Sequence, residues 1–279
     1  MLSPAIRVAR KLVQGVGGPI ISGARAPLRR RAGLAAPTTR ERFLRSVPSR
    51  RVLEIGPFDT PSLHGTDVSY FDIMDAAGLR ARATAIGGHP ERVPDIHYHS
   101  PTGDLSVVGE RFAAAFSSHA IEHQPDLVHH LRQVEAVLEP GGRYHLAIPD
   151  GRFCFDHFLP CSTIQDVEVA HRERRRVHTP KAVLDHRLAT THNDPLRHWL
   201  GLHGAPRHTE AAREQAEAEA ARAAAGEYID VHAWVFSPAR FLDIVNALTA
   251  SGSIKLRAER VHETAFGELE FFAVLAAPR

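Results

Sequence analysis

Carboxylates at the ends of apolar runs, and two histidines after a later run, are the residues best placed to do chemistry. The first run is Arg51-Val52-Leu53-Glu54-Ile55-Gly56-Pro57-Phe58. It reads as a short strand, an acid and a glycine turn. Such a turn at the carboxyl edge of a parallel sheet brings backbone amides close to a ligand. Glu54 at the strand end needs a partner, since an unpaired carboxylate is costly there. The run Val68-Ser69-Tyr70-Phe71-Asp72-Ile73 ends in Asp72, with Asp75 close behind. A strand-end acid at this place in a doubly wound fold holds ribose hydroxyls. Ser117-Ser118-His119-Ala120-Ile121-Glu122-His123 follows a later apolar run. An imidazole titrates near neutrality, so His119 or His123 can take a proton from a hydroxyl.

Regular elements must hold these groups. Residues 39–47 predict a short helix, and strands are predicted at 51–55, 68–73, 95–99, 112–118 and 143–148. Leu127, Leu131, Val134 and Leu138 recur at helical spacing, and Pro140-Gly141-Gly142 should end that helix. Strands alternating with helical stretches imply a mostly parallel sheet with right-handed crossovers. Residues 150–232 break this rhythm and read as an insert. Within it, residues 209–226 are nearly all Ala, Glu, Arg and Gln, which predicts a solvated helix. Ser237-Pro238 opens a last helix, followed by strands at 254–263 and 269–276.

From Arg51 to about Asp150 the chain resembles class I S-adenosylmethionine-dependent methyltransferases. The resemblance lies in the Glu54–Phe58 string, in Ile121-Glu122-His123 and in Leu138-Glu139-Pro140-Gly141-Gly142. Only Gly56 holds a place in a loop that is usually richer in glycine. The resemblance implies a Rossmann-like α/β fold with a seven-stranded, mostly parallel sheet, helices on both faces and an antiparallel last strand. It implies S-adenosylmethionine as cofactor, bound by Glu54, Gly56, Pro57, Phe58, Asp72, Asp104, Leu105 and Ser118. Asp104 would hold the adenine amino group and Leu105 would pack on the ring. His119, His123 or Asp150 would act as base. Pro149-Asp150-Gly151-Arg152-Phe153-Cys154-Phe155-Asp156-His157-Phe158 is similar to bacterial methyltransferases associated with polysaccharide synthesis. Arg152, Asp156 and His157 would then hold a sugar, glycan or other small acceptor, with Trp234 stacked on a sugar face.

Composition narrows the reading further. The chain has 279 residues, enough for one large α/β domain. Its two cysteines, Cys154 and Cys161, form no disulfide framework and fit a reducing, cytoplasmic compartment. Residues 1–50 carry eleven Arg or Lys and one acid, Glu41. The remainder has 23 basic and 31 acidic residues, so the body is acidic and argues against a nucleic-acid partner. The domain boundary is therefore set at residue 45, with a basic segment before it and the methyltransferase domain over 46–279. Residues 1–16 have an apolar helical face with Arg7, Arg10 and Lys11 opposite. Such a helix docks on a membrane surface or a partner, or folds against its own body; we favour the last.

Seven of the nineteen histidines fall between His171 and His208. None forms a His-x-x-x-His or His-x-His pair backed by acids, so no metal is expected. A nicotinamide oxidoreductase would need two further glycines after Gly56, where Pro57-Phe58-Asp59-Thr60-Pro61 stands. The readings left open are an RNA or other macromolecule methyltransferase, supported by the basic tail, and a non-catalytic binding module of the same fold. The sequence does not fix the oligomeric state.

Overall fold

The computed structural model describes residues 33–206 and 209–279. The helix expected over 1–16, the basic linker as far as residue 32, and His208 lie outside the described residues. The strands are β1 (Val52–Ile55), β2 (Val68–Asp72), β3 (Tyr98–His99), β4 (Phe112–Ser118), β5 (Leu138–Pro149), β6 (Arg257–Val261) and β7 (Glu270–Ala276). They form one seven-stranded sheet in the order β3-β2-β1-β4-β5-β7-β6. The pairs from β3 across to β5 are parallel. β7 inserts between β5 and β6 and runs antiparallel to both. Because β2 and β4 lie on opposite sides of β1, the strand order reverses there and a crevice opens at the carboxyl ends.

The helices are α1 (Arg40–Leu44), α2 (Ala76–Ile86), α3 (Leu127–Val137), α4 (Ile164–Glu173), α5 (Pro180–Ala189), α6 (Pro195–Trp199), α7 (Glu210–Ala224) and α8 (Pro238–Ala250). Polar side chains start them: Thr39, Asp75, Asp126 and Ser237 each accept a first-turn backbone N–H. Caps of this kind contribute about 1 kcal/mol apiece.

Alternation along the strands decides which side chains reach which layer. Leu53 and Ile55 join a core with Leu131 and Val134 of α3 and Phe241 and Ile244 of α8. Each such side chain contributes roughly 1.5–3 kcal/mol on full burial. Val52, Ala114 and Phe116 instead meet Phe43 of α1 on the opposite face. Glu54 shares the parity of Val52, so its side chain also projects toward the α1 side.

Three elements differ from the sequence reading. β5 starts at Leu138 and runs through Pro140-Gly141-Gly142, with a register shift against β4 between Phe112 and Ala114. Gly142 permits this, because a Cβ there would lie 2.9 Å from the Glu139 carbonyl oxygen and 3.1 Å from that of Ala113. β3 is two residues long, since Asp95 to His97 run as loop. α7 is not merely solvated. Its Ala220 and Ala223 are buried in a separate cluster with Val183 of α5, Ile229 and Val231. Small side chains on one helical face let the two helices approach closely. Among the described residues no helix is long and apolar enough to cross a membrane.

Candidate functional site

A cavity of about 640 Å³ opens at the carboxyl ends of β1, β2 and β4. This is the size of a small-molecule or cofactor pocket. The turn after β1 supplies Gly56 and Phe58, and β2 supplies Asp72. The end of β4 supplies His119, and the following turn supplies His123. Arg176, Tyr228 and Asp230 close it from the insert. The sequence therefore brought together Gly56, Phe58, Asp72, His119 and His123.

The turn is built for close approach. Gly56 has φ +74°, and a Cβ on it would lie 3.2 Å from the Cβ of Ala120. Phe58 (φ 45°) and His119 (φ 50°) also hold left-handed backbone without being glycine. Such strain persists where surrounding contacts enforce it, and it clusters at functional sites.

Asp72 is 7% exposed. Its Oδ1 accepts the amide of Ile73 at 2.7 Å, and its Oδ2 accepts that of Phe58 at 3.1 Å. Burial still raises its pKa, outweighing those amides and the charge of Arg82. His119 Nε2 pairs with Glu270 at 3.0 Å. Burial pulls the His119 pKa down, but Glu270 and Glu122 outweigh it and the net shift is upward. His123 Nδ1 faces Asp230 Oδ1 at 2.9 Å. Its pKa is likewise raised, with the carboxylates of Asp230 and Glu122 overcoming burial. Burial would raise the Asp230 carboxyl, yet His123 and Arg82 hold it below the ordinary range.

Other expected site residues are placed elsewhere. Glu54 is no unpaired carboxylate: its oxygens accept the amides of Ser62 at 2.8 Å and Leu63 at 2.9 Å. Burial pushes its pKa up to about 7 despite those amides and Arg40. Pro57 and Ser118 do not line the cavity, and the Ser118 hydroxyl accepts from Arg40 at 2.8 Å. Asp104 accepts the Ser106 amide at 2.9 Å and binds Gln133, while Leu105 is core. Thr102 and Gly103 of the same loop form the cavity wall instead.

Asp150 is wholly buried, paired with Arg152 and accepting from Thr264. It anchors the loop after β5 and is not at the cavity. Arg152 pairs with Asp150 and Glu263. His157 stacks on His203 at 3.6 Å. Trp234 is 3% exposed and donates its indole N–H to the Gln124 carbonyl at 2.6 Å, so no sugar reaches its face. Asp156 is buried and bonded to His232 at 2.6 Å.

The sheet order, the antiparallel β7 and the crevice beside β1 decide the architecture. The chain has the class I methyltransferase fold. Glu122, Asp230 and His232 were not among the expected site residues, yet Asp230 lines the cavity and Glu122 and His232 lie buried beside His123. The only signal was position: the first follows β4 in the Ile-Glu-His turn, and the others precede α8.

No family model matches the chain, and no curated protein matches it. Among solved structures it is similar to the glycopeptide N-methyltransferase MtfA complexed with S-adenosyl-L-homocysteine, at 22% identity and TM-score 0.30. That match covers 42% of this chain and 50% of MtfA, so the chain spans about half the length of that relative. It is similar to the CcbJ methyltransferase from Streptomyces caelestis at 13% identity and TM-score 0.40, over 84% of this chain and 92% of CcbJ. It is also similar to a Haloferax volcanii putative methyltransferase solved with the Trm112 activator, at 12% identity and TM-score 0.37, over 93% and 96%. The sheet itself, and not these likenesses, carries the fold.

Proposed function

We propose that the protein is an S-adenosylmethionine-dependent methyltransferase acting on an oxygen of a sugar, glycan or other small molecule. The supporting observation is that Gly56, Asp72 and His119 line one cavity at the carboxyl edge of the sheet. Asp72 is the acid for ribose hydroxyls, and Gly56 lets the chain pass close to the donor's amino-acid end. Ile73, Leu79, Thr102 and Gly103 form a mixed wall suited to a purine. When bound, S-adenosylmethionine supplies an electrophilic methyl on its sulfonium. The protein's part is alignment, which carries most of the rate, together with a proton acceptor.

His119 and His123 both edge the cavity, and each is paired with a carboxylate. Either can hold the proton released by an acceptor hydroxyl, with Glu270 or Asp230 stabilising the imidazolium. Arg176 and Tyr228 from the insert are the polar groups available to an acceptor. Calorimetry with S-adenosylhomocysteine tests the reading. One site per chain with a micromolar Kd is expected; absence of heat at millimolar ligand would overturn it.

A further inference from the structure

Glu122 is a buried carboxylate, 0% exposed, and neither oxygen has a hydrogen-bond partner among the described residues. A buried charge in that state is strongly unfavourable unless something compensates it. Three imidazole nitrogens surround its Oε1: His119 Nδ1 at 3.8 Å, His123 Nε2 at 3.9 Å and His232 Nε2 at 3.9 Å. These separations are too long for hydrogen bonds. They lie near the roughly 3.3 Å between ligand atoms of a tetrahedral ion whose bonds are about 2.0–2.1 Å. Glu122, His123 and His232 bring their donor atoms within 4.8 Å of one another.

The far nitrogens of the same rings are each faced by a carboxylate. His119 Nε2 meets Glu270 at 3.0 Å, His123 Nδ1 meets Asp230 at 2.9 Å, and His232 Nδ1 meets Asp156 at 2.6 Å. The carboxylates behind His119 and His232 are hydrogen-bonded to them, while Asp230 stands close to His123 Nδ1 without a hydrogen bond; carboxylates so placed orient metal-bound histidines. Protons held in those pairs do not satisfy Glu122, because no ring N–H is aimed at it within bonding distance.

The geometry points to a divalent first-row transition ion held by Glu122, His123 and His232, the three residues whose donor atoms converge. Nitrogen donors with one carboxylate suit zinc, iron, cobalt or nickel better than calcium or magnesium. The ligands come from the turn after β4 and the segment before α8, which explains why sequence spacing predicted no metal. Metal binding does not depend on the methyl-transfer reading. A consequence that does rest on it is that a coordinated His123 can no longer serve as base, which leaves His119 in that role, while an acceptor hydroxyl placed on the ion would lose its proton more readily.

The test is titration of the full chain, stripped with chelator and dialysed, with zinc chloride by calorimetry and with cobalt chloride by visible absorption. No methyl donor is present, so failure here leaves the methyl-transfer reading to its own test. One equivalent bound with a submicromolar Kd, and cobalt bands of a four- or five-coordinate site, are expected. Glu122→Gln and His232→Ala should weaken binding about 100-fold or more, and Asp156→Asn by about 10–100-fold. His157→Ala should leave it unchanged, because His157 belongs to a separate cluster with His198 and His203. Should His232→Ala fail to fold, the near-isosteric Glu122→Gln and Asp156→Asn carry the test. Lack of stoichiometric binding, undiminished binding by Glu122→Gln, or loss of binding in His157→Ala would overturn the site.

Discussion

The amide of Phe58 donates to Asp72 Oδ2 at 3.1 Å, tying the glycine turn after β1 to the acid that ends β2. One carboxylate thus shapes the cavity from two strands at once. Its own burial holds its pKa up, so the group is poised to gain from hydrogen-bond donors brought by a ligand.

Asp72→Ala should weaken S-adenosylhomocysteine by about 10–100-fold. The estimate follows from losing a hydrogen bond to a charged acceptor, about 1.5–3 kcal/mol. Calorimetry of the variant beside the wild type measures it, and unchanged affinity would remove Asp72 from the site.

Gly56→Ala combines a left-handed backbone with a Cβ crowding Ala120 at 3.2 Å. A destabilisation of about 1–2 kcal/mol is expected from the backbone alone. Thermal unfolding reads the stability and calorimetry reads the ligand. Loss of ligand binding with little loss of stability would show that close approach, rather than strain, dominates there.

Glu270→Gln should lower the His119 pKa. In the wild type the carboxylates overcome burial and raise it; with Glu270 neutral, only Glu122 is left to oppose burial. The sign for stability follows from linkage. A raised histidine pKa contributes stability that is complete below about 6.5 and is lost as pH rises through the folded value. The variant should therefore lose more stability at pH 6 than at pH 9. Imidazole titration by NMR and melting curves across that range check both parts.

His145→Leu should behave in the opposite sense. His145 is 2% exposed, neither ring nitrogen has a hydrogen-bond partner among the described residues, and the ring lies 5.7 Å from Phe43. Burial, aided by Arg143, depresses its pKa to about 4. A depressed histidine contributes stability that is complete above about 6.5 and is lost as pH falls toward the folded value. The melting temperature of the variant should rise relative to wild type as pH falls from about 6.5 to 4. Constant difference across that range would show that the ring is not held neutral by its surroundings.

The sheet was legible in the sequence because its strands are apolar runs separated by helical spacing, and β1, β2 and β4 fell within a residue or so of expectation. β5 was misjudged because Pro140-Gly141-Gly142 resembles a helix stop, while only tertiary contact shows the chain continuing as strand through Gly142. Strand-end position also put Asp72 and His119 at the wall of the cavity. Parity misled for Glu54: it ends the same run as Gly56, but alternation turns it to the α1 face, where Ser62 and Leu63 already satisfy it. Asp104 was lost to local chemistry, since an aspartate before a turn caps its own backbone. His232 joins Glu122 only after more than a hundred intervening residues, a juxtaposition that spacing cannot reveal.

A crystal structure with S-adenosylhomocysteine bound tests the central claim most directly. The account predicts the ribose hydroxyls within about 3.2 Å of the Asp72 carboxylate, a hydrogen-bond distance, with the amino-acid end over Gly56 and the sulfur facing His119. Density for the ligand in any other crevice, or Asp72 turned away from the ribose, would contradict it.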